Sequence, residues 1–301
     1  MHHFRNLLVG LSRNTADAGL IRYAAMIGRW GAAQSIRFVH VLPGAQPAKD
    51  ESEKAQALND LQSAVLAHFA DVPSTIDRQF DVQSGPLTDC LLAQAAQQRI
   101  DLLLVGRHSN GSGRRSLARR LAMKAPCSVW VVPEDFPAAV RRILAPIDFS
   151  EPAADTLRTA IALARLCGHP ECLALHIYFD QAVTTYEGYD QVLRGEEAQA
   201  YRQFIAPIDC QGVKVTPLFE ESANVAHAIE RVAAREGADL IVMGTRGRSA
   251  SAAILLGSVT EETIIDTRLP LLAVKHFGAQ MGVLQALLDR RFLRSPGLHT
   301  D

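Results

Sequence analysis

The chain has 301 residues, 48% hydrophobic, 21% charged and 6% aromatic, which excludes a disordered or collagen-like chain and leaves room for two cores of ordinary size. With 31 Lys and Arg against 32 Asp and Glu the formal charge is -1, so no global field draws nucleic acid or anionic lipid to it. No apolar run approaches the roughly 20 residues of a membrane helix, and the opening MHHFRNLLVGLSRN turns polar too early for a secretory signal; a cytoplasmic location is expected, with no membrane partner.

From Arg5, RNLLVGLSRNTADAG reads as a buried strand, a polar turn and a helix whose apolar face is Leu20, Ala24 and Ile27, with Gly31 at its end. FVHV at 38–41 is a second strand. Leu87, Leu91 and Ala95 share a helical face that leads into RIDLLLVG, an almost continuously apolar strand ending at Gly106, and APCSVWVV from Ala125 is a strand started by a proline. PEDFPAAVRR at 133–142, with two prolines and several charges, reads as a linker.

The pattern then begins again. RRILAPIDFSEPAAD, from Arg141, lies under the opening segment with Leu144 at Leu8 and Asp148 at Ser12, and the same offset sets ALHI at 174–177 beside FVHV. Ser150 is suited to cap the next helix, Pro152 to its first turn, Leu157, Ile161 and Ala164 to one apolar face, and Gly168 to its end. The stretch from Phe179 to Gln211, holding Tyr186, Tyr189 and Tyr201 among polar residues, reads as a loop and a surface helix before the strand VKVTPLF. Val225, Ile229 and Val232 face one way on a helix before GADLIVMG, which ends at Gly244, and LPLLAVKH from Leu269 matches APCSVWVV. In the tail, Val283, Leu284, Leu287 and Leu288 make one side of a short helix that either docks on a domain or meets a partner. This duplication predicts two tandem Rossmann-like α/β domains, 1–138 and 139–278, followed by a helical tail over 279–301.

Cys90, Cys127, Cys167, Cys172 and Cys210 are too few, and odd in number, for a disulfide framework. Cys167 and Cys172 with His169 and His176 lack a regular ligand spacing, so no metal site is assigned.

The sharpest chemical signal is VMGTRGRSASAAILLGSVTEET, from Val242 to Thr263. Gly244 follows a buried strand, Gly247 frees the next turn of a Cβ, and Gly257 with Ser258 opens a helix, an arrangement that aims backbone N–H groups at phosphate. Ser258 and Thr260 add hydroxyls, and Arg246 and Arg248 add positive charge, though solvated arginines need no ligand. Asp148 ends its strand where an open α/β sheet meets ligand; its carboxylate suits ribose hydroxyls and equally suits a turn cap, while Pro146 and Ile147 offer backbone and apolar surface to a base. In the first half, Arg107, Arg114, Arg115, Arg119, Arg120 and Lys124 stand with no acidic residue from 102 through 133. This patch reads as a face for water or for acidic residues of the sister domain, or as a small anion site; stacking aromatics are too scarce for single-stranded nucleic acid.

The spacing Gly-x2-Gly-x9-Gly-Ser at Gly244, Gly247, Gly257 and Ser258, with PIDFS at 146–150 and LHI at 175–177 in the same order, resembles the universal stress protein family, and both halves take part in the resemblance. It implies a five-stranded parallel sheet per domain in the order 3-2-1-4-5, with the domains meeting through their last strands. It also implies ATP, with Mg2+ as its ion, in the second domain: Asp148 on ribose, Ile147 and Ile177 by adenine, Met243 and Gly244 against the nucleotide, and Gly247, Gly257, Ser258, Val259 and Thr260 on the phosphate side. The first half departs from the family pattern, since Ser12 replaces the aspartate and its loop is shorter, so domain 1 is expected to be empty. The expected function is a stress-response regulatory module that binds ATP or a related adenine nucleotide, with no catalytic residue and with a homodimer and an unidentified regulatory protein as partners. The alternatives are a weak ATPase or an enzyme that phosphorylates itself at Ser258, and a nucleotide-free interaction module.

Overall fold

The computed structural model describes residues 4–14, 17–43, 47–107, 112–134, 136–179, 189–246 and 256–275. The expectations for the tail helix and for the loop around Tyr186 fall outside these residues. The first half runs β1 (Asn6–Leu11), α1 (Asp17–Arg29), β2 (Ser35–Leu42), α2 (Pro47–Leu66), β3 (Asp77–Ser84), α3 (Leu87–Gln97), β4 (Leu102–Arg107), α4 (Ser112–Lys124) and β5 (Ser128–Pro133). The second runs β6 (Ile143–Ile147), α5 (Glu151–Leu166), β7 (Glu171–Tyr178), α6 (Tyr189–Ile205), β8 (Lys214–Glu221), α7 (Val225–Glu236), β9 (Leu240–Gly244), α8 (Ser258–Asp266) and β10 (Leu271–Val274).

All strands join one ten-stranded sheet in the order β3-β2-β1-β4-β5-β10-β9-β6-β7-β8. The expectation of two separate five-stranded parallel sheets is overturned. Neighbours pair in parallel throughout except at the centre, where β10 runs antiparallel to β5 with Leu271 opposite Val131, Leu272 opposite Trp130 and Ala273 opposite Val129. The reason is edge chemistry. A last strand left at an edge exposes a row of unpaired N–H and C=O groups, and Val129, Trp130, Val131, Leu271, Leu272 and Ala273, all at most 1% exposed, could not face water. Each last strand covers the other's edge, and two sheets become one mixed sheet.

Alternate side chains feed two cores, one on each face of the sheet. Leu7, Val9, Ile143, Ala145, Leu272 and Val274 enter one; Leu8, Leu144, Leu271 and Ala273 enter the other, so each core crosses from one half into the next. Trp130 is fully buried at the seam, with Tyr23 edge-on at 6.0 Å and Trp30 at 6.3 Å between ring centroids. The repeat is visible in a matched pair of carboxylates. Asp101 accepts from the backbone N–H groups of Arg5 and Asn6 at 3.0 and 2.9 Å, and Asp239 accepts from those of Arg141 and Arg142 at 2.9 and 3.0 Å, fixing the entry to β1 and β6. Among the described residues no helix is long and apolar enough to cross a membrane, and no three His, Cys, Asp or Glu side chains converge as a metal site. Burial pushes the thiols of Cys127, Cys167 and Cys172 up to about 12, as for cysteines packed as apolar groups.

Candidate functional site

β6 lies between β7 and β9, and the chain passes from β6 through α5 to one side and returns through α7 to the other. The carboxyl ends of β6 and β9 therefore border the place where an open α/β sheet parts its connections. The ends of β6, β7 and β9 bring Pro146, Ile147, Asp148, Ile177, Met243 and Gly244 to that border.

The turn after β6 is built by its own side chains. Phe149 takes a left-handed φ of 62°, and Asp148 Oδ1 accepts from the backbone N–H of Ser150 at 3.1 Å and from its hydroxyl. The Ser150 hydroxyl oxygen in turn accepts from the N–H of Ala153 at 3.3 Å, capping α5, while Pro152 stands in the first turn. The turn-cap reading of Asp148 is thus present in the geometry.

The end of β9 is held closed. Thr245 N–H donates to the Val274 carbonyl at 3.0 Å, Gly257 N–H donates to the Thr245 carbonyl at 2.8 Å, and the Thr260 hydroxyl donates to the Gly244 carbonyl at 2.7 Å. The chain leaves β9 and comes back to the same point to start α8. A Cβ at Gly244 would lie 2.9 Å from Thr156 Oγ1 of α5 and 3.1 Å from the Arg246 carbonyl oxygen, so this position admits only glycine without movement. Gly257 precedes α8 in extended conformation and supplies no side-chain cap, which leaves the amides of the first turn for another acceptor. Ser258 is exposed, Val259 packs on the core, Arg246 is half-buried and Thr260 is buried with its hydroxyl already donated. Gly247 and Arg248 lie outside the described residues.

One contributor, Thr156, was not singled out from sequence, and two others, His176 and Arg107, were named there in other roles, the first among residues weighed for a metal cluster and the second in the basic patch. Thr156 sets the clearance over Gly244. His176 presents Nδ1 to the Ile147 carbonyl at 3.0 Å and Nε2 to Glu197 at 3.1 Å, and Phe149 stacks on its ring with centroids 4.1 Å apart. His40, at the same place in the first repeat, makes the matching contact to the Leu11 carbonyl at 2.9 Å, so the histidine shared by FVHV and ALHI was the available signal. Arg107 of the basic patch reaches the Ile264 and Ile265 carbonyls of the other half.

The first half has rebuilt its turn. Ser12 carries no carboxylate, and Asp17 reaches back to accept from the N–H groups of Ser12 at 2.9 Å, Arg13 at 2.6 Å and Asn14 at 3.3 Å, around an Arg13 whose φ is 59°. In the basic patch, Arg119 meets Glu261 of α8 at 2.6 Å, which is the sister-domain contact that the sequence left as one reading.

The pattern of the universal stress protein family matches residues 3–133 and again 139–275. The chain belongs to that family. Universal stress protein MJ0577 of Methanocaldococcus jannaschii is 30% identical over 157 residues, covering 45% of this chain and 95% of the relative. A putative universal stress protein from Pseudomonas aeruginosa UCBPP-PA14 shares the fold over 96% of this chain and 99% of its own, with a TM-score of 0.70 at 17% identity. Another solved universal stress protein, in complex with cAMP, is 18% identical over 44% of this chain and 99% of its own, with a TM-score of 0.36. As a tandem universal stress protein, the chain has the general stress-response role that the family's name states.

Proposed function

We propose that this universal stress protein is a regulatory module that binds ATP, or a closely related adenine nucleotide, in the unit 139–278, and that the unit 1–138 binds none. The observation that carries the reading is the closed end of β9: Gly257 bonded to Thr245 and Thr260 bonded to Gly244 return α8 to the strand end, so an uncapped helix N-terminus stands at the same sheet border as Asp148. Amides of Ser258 and Val259, with Arg246, would take the phosphates, whose own oxygens would carry the Mg2+; Gly247 joins them by resemblance and Arg248 by its charge. Asp148 would accept from ribose, and Pro146, Ile147, Ile177 and Met243 would flank the base. Thr260 would serve the phosphate side through its backbone, because its hydroxyl hydrogen is donated to the Gly244 carbonyl. We assign no residue a catalytic role. The first unit has the carboxylate of Asp17 in its turn and Ser12 in place of aspartate, which argues against a ribose site there.

Calorimetric titration with ATP tests this. One binding event is expected, weakened about tenfold, or about 1.4 kcal/mol, by Asp148→Ala and unchanged by Ser12→Ala. Asp148→Asn keeps an acceptor for Ser150 but loses the charge, and separates a turn defect from a lost ligand contact. A folded parent protein that takes up no ATP removes the proposal.

A further inference from the structure

The basic run of the first half spends two of its charges on the second. Arg107, at the end of β4 and 9% exposed, donates from Nη1 to the carbonyl oxygens of Ile264 at 3.1 Å and Ile265 at 3.4 Å, in the last turn of α8. Arg119 Nε forms a close ion pair with Glu261, one turn into the same helix. The exchange is mutual, since Lys275 beyond β10 donates from Nζ to the carbonyls of Ala122 at 3.3 Å and Met123 at 2.9 Å, in the last turn of α4. Each helix beside the seam therefore has its terminal carbonyls, the negative end of its dipole, held by a cation from the opposite half.

The two helices do not depend on this equally. α8 has nine residues and no side-chain cap at its start, and a helix so short is not stable by its own hydrogen bonds. It is fixed by Thr260 on Gly244 at one end, by buried Thr263 and Ile264 along its inner face, and by Arg107 at the other end. Without Arg107 the buried carbonyls of the last turn lose their charged donor, and the helix is free to shift or fray about the anchor at Thr260.

We propose that Arg107 is a positioning residue for the site of the opposite half: it caps α8 so that the N-terminal turn of that helix is presented to the nucleotide. The inference rests on the nucleotide reading above. It gives the half with no ribose carboxylate a task that needs no ligand of its own, and it accounts for an arginine that is buried at the seam instead of facing water.

The test compares ATP affinity in the full chain for Arg107→Gln, Arg107→Lys and Leu61→Ala, at a temperature where all are folded by circular dichroism. Leu61 lies in α2, in the core of the first half, and its truncation lowers stability without touching α8. Arg107→Gln is expected to weaken ATP binding about fivefold, Arg107→Lys to restore it to within about twofold, and Leu61→Ala to leave it within about twofold of the parent. Unchanged affinity in Arg107→Gln overturns the proposal, and so does an equal loss in Leu61→Ala, which would mark a general effect of stability. If Arg107→Gln does not fold, the lysine variant decides, with wild-type affinity expected and a loss above about fivefold contrary. If the parent itself binds no ATP, the nucleotide reading falls, and hydrogen exchange of the ligand-free protein decides this one. Amides over 258–266 should then exchange about fivefold faster in Arg107→Gln while those of α1 do not, and unaltered protection in α8 rejects the clamp.

Discussion

Gly244 and Gly106 occupy the same position in the two repeats, each closing an apolar strand, yet their surroundings differ by the width of a methyl group. A Cβ on Gly106 would meet nothing nearer than Leu20 Cδ2 at 4.0 Å, whereas one on Gly244 would press on Thr156 Oγ1 at 2.9 Å and on backbone at Arg246. Gly244→Ala should therefore lower unfolding stability by about 1–3 kcal/mol, the usual cost of overpacking, while Gly106→Ala stays within about 0.5 kcal/mol of the parent. Urea unfolding of the two variants checks this, and equal costs would show that the clearance over Gly244 relaxes freely. Sequence showed both glycines and gave no means to rank them, because the atoms that crowd Gly244 come from α5 and from a chain reversal, neither of which a local pattern contains.

At the scale of elements, what could be read in advance is what local chemistry decides. Ser150 caps α5 and Gly168, with φ of 73°, follows its end, as the residue types at those places required. The strands around Leu103, Leu144 and Ile241 were legible as continuous apolar runs because both of their faces are buried. The start of α1 was not legible. Its carboxylate comes from Asp17, five residues after Ser12, so the turn is the same shape as that at Asp148 with its acceptor moved from the strand end to the helix. Two charged oxygens there take three backbone N–H groups, and Asp17→Ala should cost about 1–3 kcal/mol in urea unfolding, against a change within about 0.5 kcal/mol for Ser12→Ala, whose part in the turn is played by its backbone. Wild-type stability in Asp17→Ala would mean that solvent serves those amides equally well.

The whole molecule is organised by the pairing of β5 with β10; the family resemblance implied that the halves meet through their last strands, but not that the pair is antiparallel and joins both halves into one sheet. Each strand reads by itself as a buried member of a parallel sheet; that they bury one another, antiparallel, depends on residues more than 130 positions apart. The seam also holds Lys275, 8% exposed, whose amino group is brought down to about 8 by burial first and by the charge of Arg246 second, against an opposing pull from Cys127. In the unfolded chain a lysine keeps its proton to about pH 10.4, so between about 8 and 10.4 the unfolded state binds more protons and stability rises with pH; that contribution is lost as pH falls through 8. The neutral amine still has N–H groups for the Ala122 and Met123 carbonyls, so deprotonation relieves a buried charge without emptying the helix end. Tyr23 and the buried cysteines, which hold their protons to higher pH when folded, act in the opposite direction, and only a difference measurement isolates the lysine. The unfolding free energy of the parent minus that of Lys275→Met should move toward the parent by on the order of 2 kcal/mol between pH 7 and pH 9.5, as the charge that the methionine variant never carries is given up. A difference that stays flat, or moves toward the methionine variant, would mean that the ammonium at the seam is as well solvated by its carbonyls as it is by water.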